Sequence, residues 1–102
     1  MRILWSPTAI SDLESIRKYI AEENLTAAHK VSIRIKEAVS RLSNFPLSGR
    51  AARVPDTREL VIPGTFYIAA YTVHGDEVLI AAVLHGRQNW PESFEASADS
   101  TP

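Results

Sequence analysis

Apolar residues recur at helical steps in the first half of the chain and in short dense runs in the second half. Ala9, Leu13, Ile16 and Ile20 follow one another at steps of 4, 3 and 4, and so share one face of a helix. Ser6-Pro7 reads as an N-cap followed by proline in the first turn, where the missing N–H costs nothing. The first helix is therefore predicted from about Pro7 to Glu23, with Asn24 ending it. Ala28, Val31, Ile35, Ala38 and Leu42 repeat the pattern at steps of 3, 4, 3 and 4, after Thr26 as a candidate cap. Lys30, Arg34, Lys36, Glu37 and Arg41 fill the opposite side. Phe45-Pro46 stops this second helix, because a residue before proline resists the helical region. Two amphipathic helices on so short a linker should fold back as an antiparallel hairpin, since neither stripe can be left in water.

After a predicted turn at Leu47-Ser48-Gly49-Arg50 the period changes. Arg58 to Ile62, Phe66 to Val73 and Glu77 to Leu84 are rich in Val, Ile, Tyr and Leu. Pro63-Gly64 separates the first two runs and His74-Gly75-Asp76 the last two, which predicts a three-stranded antiparallel meander. Ile80 to Leu84 is apolar at every position, as in a central strand covered on both faces. Arg2-Ile3-Leu4-Trp5 adds a short N-terminal strand. Helices first and strands afterwards give an α+β class, with the hairpin on one face of a single sheet. The expected organisation is one domain over residues 1–94 and a flexible tail over residues 95–102, where small and polar residues take over.

Composition narrows the function. The chain has 102 residues, 45% of them hydrophobic, enough for one core without staples. It has no cysteine, which removes disulfides and thiolate metal sites. The start, MRILWSPTAI, is too short an apolar stretch for a signal or a membrane span, so a cytoplasmic location is expected. Eleven basic and twelve acidic residues give a net charge of −1. Proteins that grip a phosphate backbone usually carry a basic excess, and this chain as a whole does not.

No phosphate loop, dinucleotide glycine run, zinc helix or nucleophile elbow is present, and no two histidines have metal-ligand spacing. No cofactor or metal is expected. The residues able to carry chemistry are Arg50, Arg53, Arg58, His85, Arg87 and Trp90. Arg58 starts a strand, and His85 with Arg87 ends one, so they are candidates to converge at one rim. There His85 can exchange a proton near neutral pH, and an arginine can hold a phosphate or carboxylate. An ordinary solvated edge fits the same pattern. Tyr67 and Tyr71 share a face, for stacking on bases or for packing under a helix. Trp90 and Phe94 are candidates either to anchor a partner or to close the open end of the sheet. His29 and His74 fit a helix surface and a turn.

The order of elements and a series of local strings resemble the RelE/ParE toxin superfamily. The strings are Trp5 to Ala9 with Asp12-Leu13, Ile16 and Tyr19-Ile20; then Asn44 to Arg50, and Thr57 to Leu60. Tyr67 to Tyr71 and Val83 to Gln88 complete the set, which spans residues 2 to 94. The resemblance implies the toxin half of a type II toxin–antitoxin pair, of the kind associated with plasmid stabilisation. It implies a cognate antitoxin with a DNA-binding N-terminal part and a C-terminal segment that wraps the toxin. RelE-like members cut mRNA on the ribosome, whereas ParE-like members poison DNA gyrase. RelE-like nucleases carry an arginine just after the tyrosine opening the middle strand, but Ile68 follows Tyr67 here. They also alternate cations along the preceding strand, where this chain has Glu59 and Val61 and keeps only Arg58. Each missing donor to a cleaved phosphate typically costs about 100- to 1,000-fold in rate. The expectation is therefore a ParE-like gyrase poison. The alternative is a ribosome-dependent endonuclease using Arg58, His85 and Arg87, and Trp90, Phe94 and Arg50 are the candidate partner contacts.

Overall fold

The structure is a computed structural model and describes residues 1–86. Strand β1 (Arg2–Trp5) leads directly into helix α1 (Pro7–Ala21), and helix α2 (Leu25–Ser40) follows after a short turn. A single 3-10 turn at Arg41–Ser43 ends the hairpin ahead of Pro46. Then come β2 (Arg50–Ala51), β3 (Arg58–Val61), β4 (Tyr67–His74) and β5 (Glu77–His85). The five strands form one sheet in the order β1-β5-β4-β3-β2. The α+β class and the three-stranded meander match the reading of the sequence. Two features go beyond it. The N-terminal strand joins the sheet parallel to β5, and the segment read as a turn continues into the two-residue β2 on the far edge.

The caps explain where the helices begin. Ser6 Oγ accepts the Ala9 N–H at 2.9 Å, with proline following in the first turn. The second cap is a correction: Asn24, not Thr26, starts α2, its side-chain oxygen accepting from Ala27 N–H at 3.0 Å. Thr26 lies inside the helix, so Asn24 belongs to the start of α2 as much as to the end of α1.

Cross-strand partners share a face, so the register sorts the sheet. Ile3, Trp5, Leu60, Tyr67, Ala69, Tyr71, Val73, Val78, Ile80 and Val83 lie on the face under the helices. They meet Ala9, Leu13, Ile16, Val31, Ile35, Ala38, Val39 and Leu42 in the main core. Fully burying each Leu or Ile there contributes about 1.5–3 kcal/mol. Ala70, Ala82 and Leu84 form a second buried cluster on the opposite face, and Ile80 to Leu84 is buried throughout. Tyr67 and Tyr71 thus pack beneath the helices.

A β-bulge breaks β5. Ala70 pairs with Ala82 while Tyr71 pairs with Ile80, so Ala81 is the extra residue. A bulge leaves ladder groups unpaired, and the helical layer satisfies them. Ser6 Oγ donates to the Ala81 carbonyl at 2.9 Å, and the Val83 N–H donates to Asp12 Oδ2 at 3.0 Å. Burial pushes the Asp12 carboxyl up from its ordinary value, against the lowering effect of that N–H. The turns follow their glycines. Gly64, with φ +77°, sits after Pro63 as a type II turn requires, and Gly75, with φ +60°, opens the two-residue β4–β5 hairpin.

Candidate functional site

Among the described residues, Arg58 and His85 do not converge. Strands β3 and β5 both pair antiparallel with β4, so they run in the same direction. The start of β3 and the end of β5 therefore lie at opposite ends of the sheet. Arg58 stands beside Tyr71 and His85 beside Tyr67, four residues apart along β4 and two strands apart across it. That is a separation on the order of 16 Å, at 3.3 Å per residue and 4.8 Å per strand. One phosphate cannot be served by both. Arg87, Trp90 and Phe94 lie outside the described residues.

Arg58 is committed to its own chain. Its Nη1 donates to the Gly49 carbonyl at 2.7 Å and to the Leu47 carbonyl at 3.3 Å. Next to it the buried Tyr71 hydroxyl accepts from Gly49 N–H at 2.8 Å and donates to the Pro46 carbonyl at 2.8 Å. Burial raises the Tyr71 phenol above its ordinary pKa, with the Gly49 N–H and the Arg58 charge pulling the other way. The buried Tyr71 and its half-buried cross-strand partner Arg58 thus clamp the loop between α2 and β2. Arg50, a candidate partner contact, forms an ion pair with Glu59 directly across the β2–β3 ladder.

At the other end of the sheet, His85 stacks on Phe66 with ring centroids 5.9 Å apart and meets the edge of Tyr67 at 5.6 Å. Phe66 is 75% exposed. Burial raises the Tyr67 phenol, with neighbouring Tyr19 adding to the shift. The result is an aromatic surface suited to stacking. Phe66 was missed in the sequence because it reads as the first residue of an apolar strand, whereas it precedes β4, its carbonyl accepts the Gly86 N–H at 2.7 Å, and its ring stands in solvent.

The three positions where the resemblance expects nuclease cations fall together. Val61 pairs with Ile68 and Glu59 with Ala70, so Glu59, Val61 and Ile68 share the face opposite the helices. That patch is apolar apart from Glu59, whose carboxylate is paired with Arg50. A different surface opens between β1, α1 and α2: a groove of about 590 Å³ with a floor of Ile3, Trp5, Leu13 and Val39 and with Glu14 and Lys36 among its lining residues. Among the described residues, no group of His, Asp and Glu could hold a metal ion, and no helix is long and apolar enough to cross a membrane.

Comparison with known proteins decides the family. The model of the ParE toxin of the type II toxin–antitoxin system, parDE, matches residues 3–90. This chain belongs to the ParE toxin family. The toxin is 41% identical over 91 residues to the protein Y4kP of Sinorhizobium fredii, covering 89% of this chain and 94% of that one. It is 34% identical over 74 residues to Toxin RelE2 of Caulobacter vibrioides, covering 72% of this chain and 83% of that one. A solved chain of the chromosomal ParDE toxin–antitoxin system from P. aeruginosa superposes with a TM-score of 0.73 at 28% identity. That match covers 81% of the toxin and 92% of the solved chain. Membership in such a system implies an antitoxin partner.

Proposed function

We propose that this toxin acts by binding, as a poison of DNA gyrase, and does not cut mRNA. The observation that carries this reading is the patch of Glu59, Val61 and Ile68. A phosphoryl-transfer site needs preorganised cations where charge develops. At these positions the toxin offers a carboxylate and two aliphatic side chains; Arg58, the one base in β3, is spent on loop carbonyls, and Arg50 on β2 is paired with Glu59. The gyrase target follows from what the ParE resemblance implies, and membership in the ParE family supports it. The antitoxin's apolar segment is proposed to fill the groove between β1, α1 and α2, whose floor is aliphatic and aromatic.

The test uses purified toxin against gyrase supercoiling and, in parallel, against translating ribosomes. Expected are lost supercoiling, accumulating cleaved DNA and intact mRNA, with His85→Ala still toxic. Discrete mRNA breaks with unaffected gyrase would establish the nuclease reading instead. Ile10→Asp, which places a charge at the lip of the groove where Ile10 is half exposed, should release the antitoxin without unfolding the toxin.

A further inference from the structure

The loop that Tyr71 and Arg58 clamp carries two large apolar side chains in water. Phe45 is 64% exposed and Leu47 is 63% exposed, on either side of Pro46. Single exposed hydrophobic residues are ordinary. These two differ in how firmly their backbone is held. The Phe45 N–H donates to the Arg41 carbonyl at 2.9 Å, and the Ser48 N–H donates to the Phe45 carbonyl at 3.1 Å. Pro46 has a fixed φ, and its carbonyl accepts from Tyr71. Leu47 and Gly49 give their carbonyls to Arg58. Gly49 has no room for a side chain, because a Cβ there would stand 2.5 Å from Tyr71 Oη and 2.8 Å from the Glu59 carbonyl. A buried phenol and a half-buried guanidinium are thus committed to holding an aromatic and an aliphatic side chain out into solvent.

Rigid display lowers the ordering cost of association, and large aromatic anchors contribute most to interface affinity. The charge near the loop is weighted to arginine. Arg41 and Arg53 are exposed near it in sequence, Arg50 and Glu59 pair with each other, and Asp56, which lines one pocket with Leu47 and Arg58, is the one exposed acid between residues 41 and 58. This is a locally positive rim in a chain of net charge −1.

We propose that Phe45 and Leu47 are the anchors by which the toxin engages its protein target, at an apolar pocket bordered by carboxylates. The inference rests on the reading of the toxin as a binder, but does not depend on the target being gyrase. It separates two surfaces. The groove between β1, α1 and α2 serves the antitoxin, and the clamped loop serves the target.

The test is the full-length toxin with Phe45→Ser and Leu47→Ser together, and with Phe45→Ala alone should the double variant fail to fold. Three readouts are taken: antitoxin co-purification, growth arrest on induction without antitoxin, and gyrase inhibition by the purified protein. The proposal expects unchanged antitoxin capture and a dose for arrest raised about 30-fold, the size of one interface hot spot. Arg53→Glu should raise the dose by a smaller factor, about 3- to 10-fold, and the effect should shrink with added salt. Full toxicity of folded Phe45→Ala or of the double variant overturns the proposal. So does a joint loss of toxicity and antitoxin capture, which would assign the loop to the antitoxin. If wild-type toxin leaves gyrase untouched while arrest still requires Phe45, the loop assignment stands and the gyrase reading falls. A wild-type chain that arrests nothing overturns both.

Discussion

Replacing Tyr71 by Phe isolates the clamp from the core. The ring is fully buried and stays, so apolar packing is unchanged and only the hydroxyl is lost. Two hydrogen bonds go with it. The Gly49 N–H, on a buried glycine, loses its acceptor, and an unsatisfied buried donor costs about 1–3 kcal/mol. The Pro46 carbonyl is only half-buried and recovers water, so its lost bond adds roughly 0.5–1.5 kcal/mol. The expected loss is about 2–4 kcal/mol. For a domain of this size that corresponds to about 8–30 °C in Tm, at roughly 4–8 °C per kcal/mol. Arg58 still holds the Gly49 and Leu47 carbonyls, so Tyr71→Phe should fold and loosen only the loop. Urea unfolding should show a lower midpoint with an unchanged m-value, and the Gly49 amide should exchange faster than amides of β4. A stability change under about 0.5 kcal/mol, within the usual range of a surface substitution, with Gly49 still protected would refute the clamp.

Gly49→Ala should cost about 1–3 kcal/mol by overpacking, and less in a Tyr71→Phe background, where the nearest atom is gone; a double-mutant cycle by urea unfolding reads the coupling. Ser6→Ala removes both the cap of α1 and the donor to the Ala81 carbonyl in a buried setting, for about 2 kcal/mol lost on denaturation. Asp12 sets a pH dependence. Its carboxyl is raised in the folded state, so the native chain binds more protons than the unfolded chain between the ordinary carboxylate value and the raised one. Stability from this group is therefore greatest below that window and falls as pH rises through it. Asp12→Asn keeps an acceptor for the Val83 N–H and should remove the slope, gaining on wild type as pH rises from 4 to 7 in urea titrations. Asp12→Ala orphans that N–H and should cost about 1–3 kcal/mol throughout.

Much of the architecture was legible in the sequence because it rests on local rules. The two apolar stripes, Ser6-Pro7 at a helix start, and Pro63-Gly64 and Gly75 at the turns each have a single short-range cause. Thr26 was preferred to Asn24 as the second cap because both side chains can accept an N–H, and only the path of the chain chooses between them. The bulge at Ala81 was hidden for a different reason. A run that is apolar at every position has no alternation, so a shift of phase leaves no mark. The pairing of β1 with β5 joins Ile3 to Val78, and no local signal spans that distance. Strand direction keeps Arg58 and His85 from meeting at one rim. Two strands that flank a common antiparallel neighbour run the same way, so Arg58 at a start and His85 at an end had to be far apart. Phe45 and Leu47 looked like helix-stop and turn residues, and their exposure depends on a clamp built from Arg58 and Tyr71, further along the chain.

The place of β5 in the sheet has a consequence for synthesis. It is the last strand in the described chain, yet it lies between β1, the first, and β4. The ribosome delivers the chain at about 5–20 residues per second, so β1 and the helical hairpin wait several seconds before their main sheet partner emerges. During that interval the stripes of α1 and α2 have only each other and β1 to pack against. A toxin built this way completes its sheet core in one late step, after residue 85 leaves the exit tunnel.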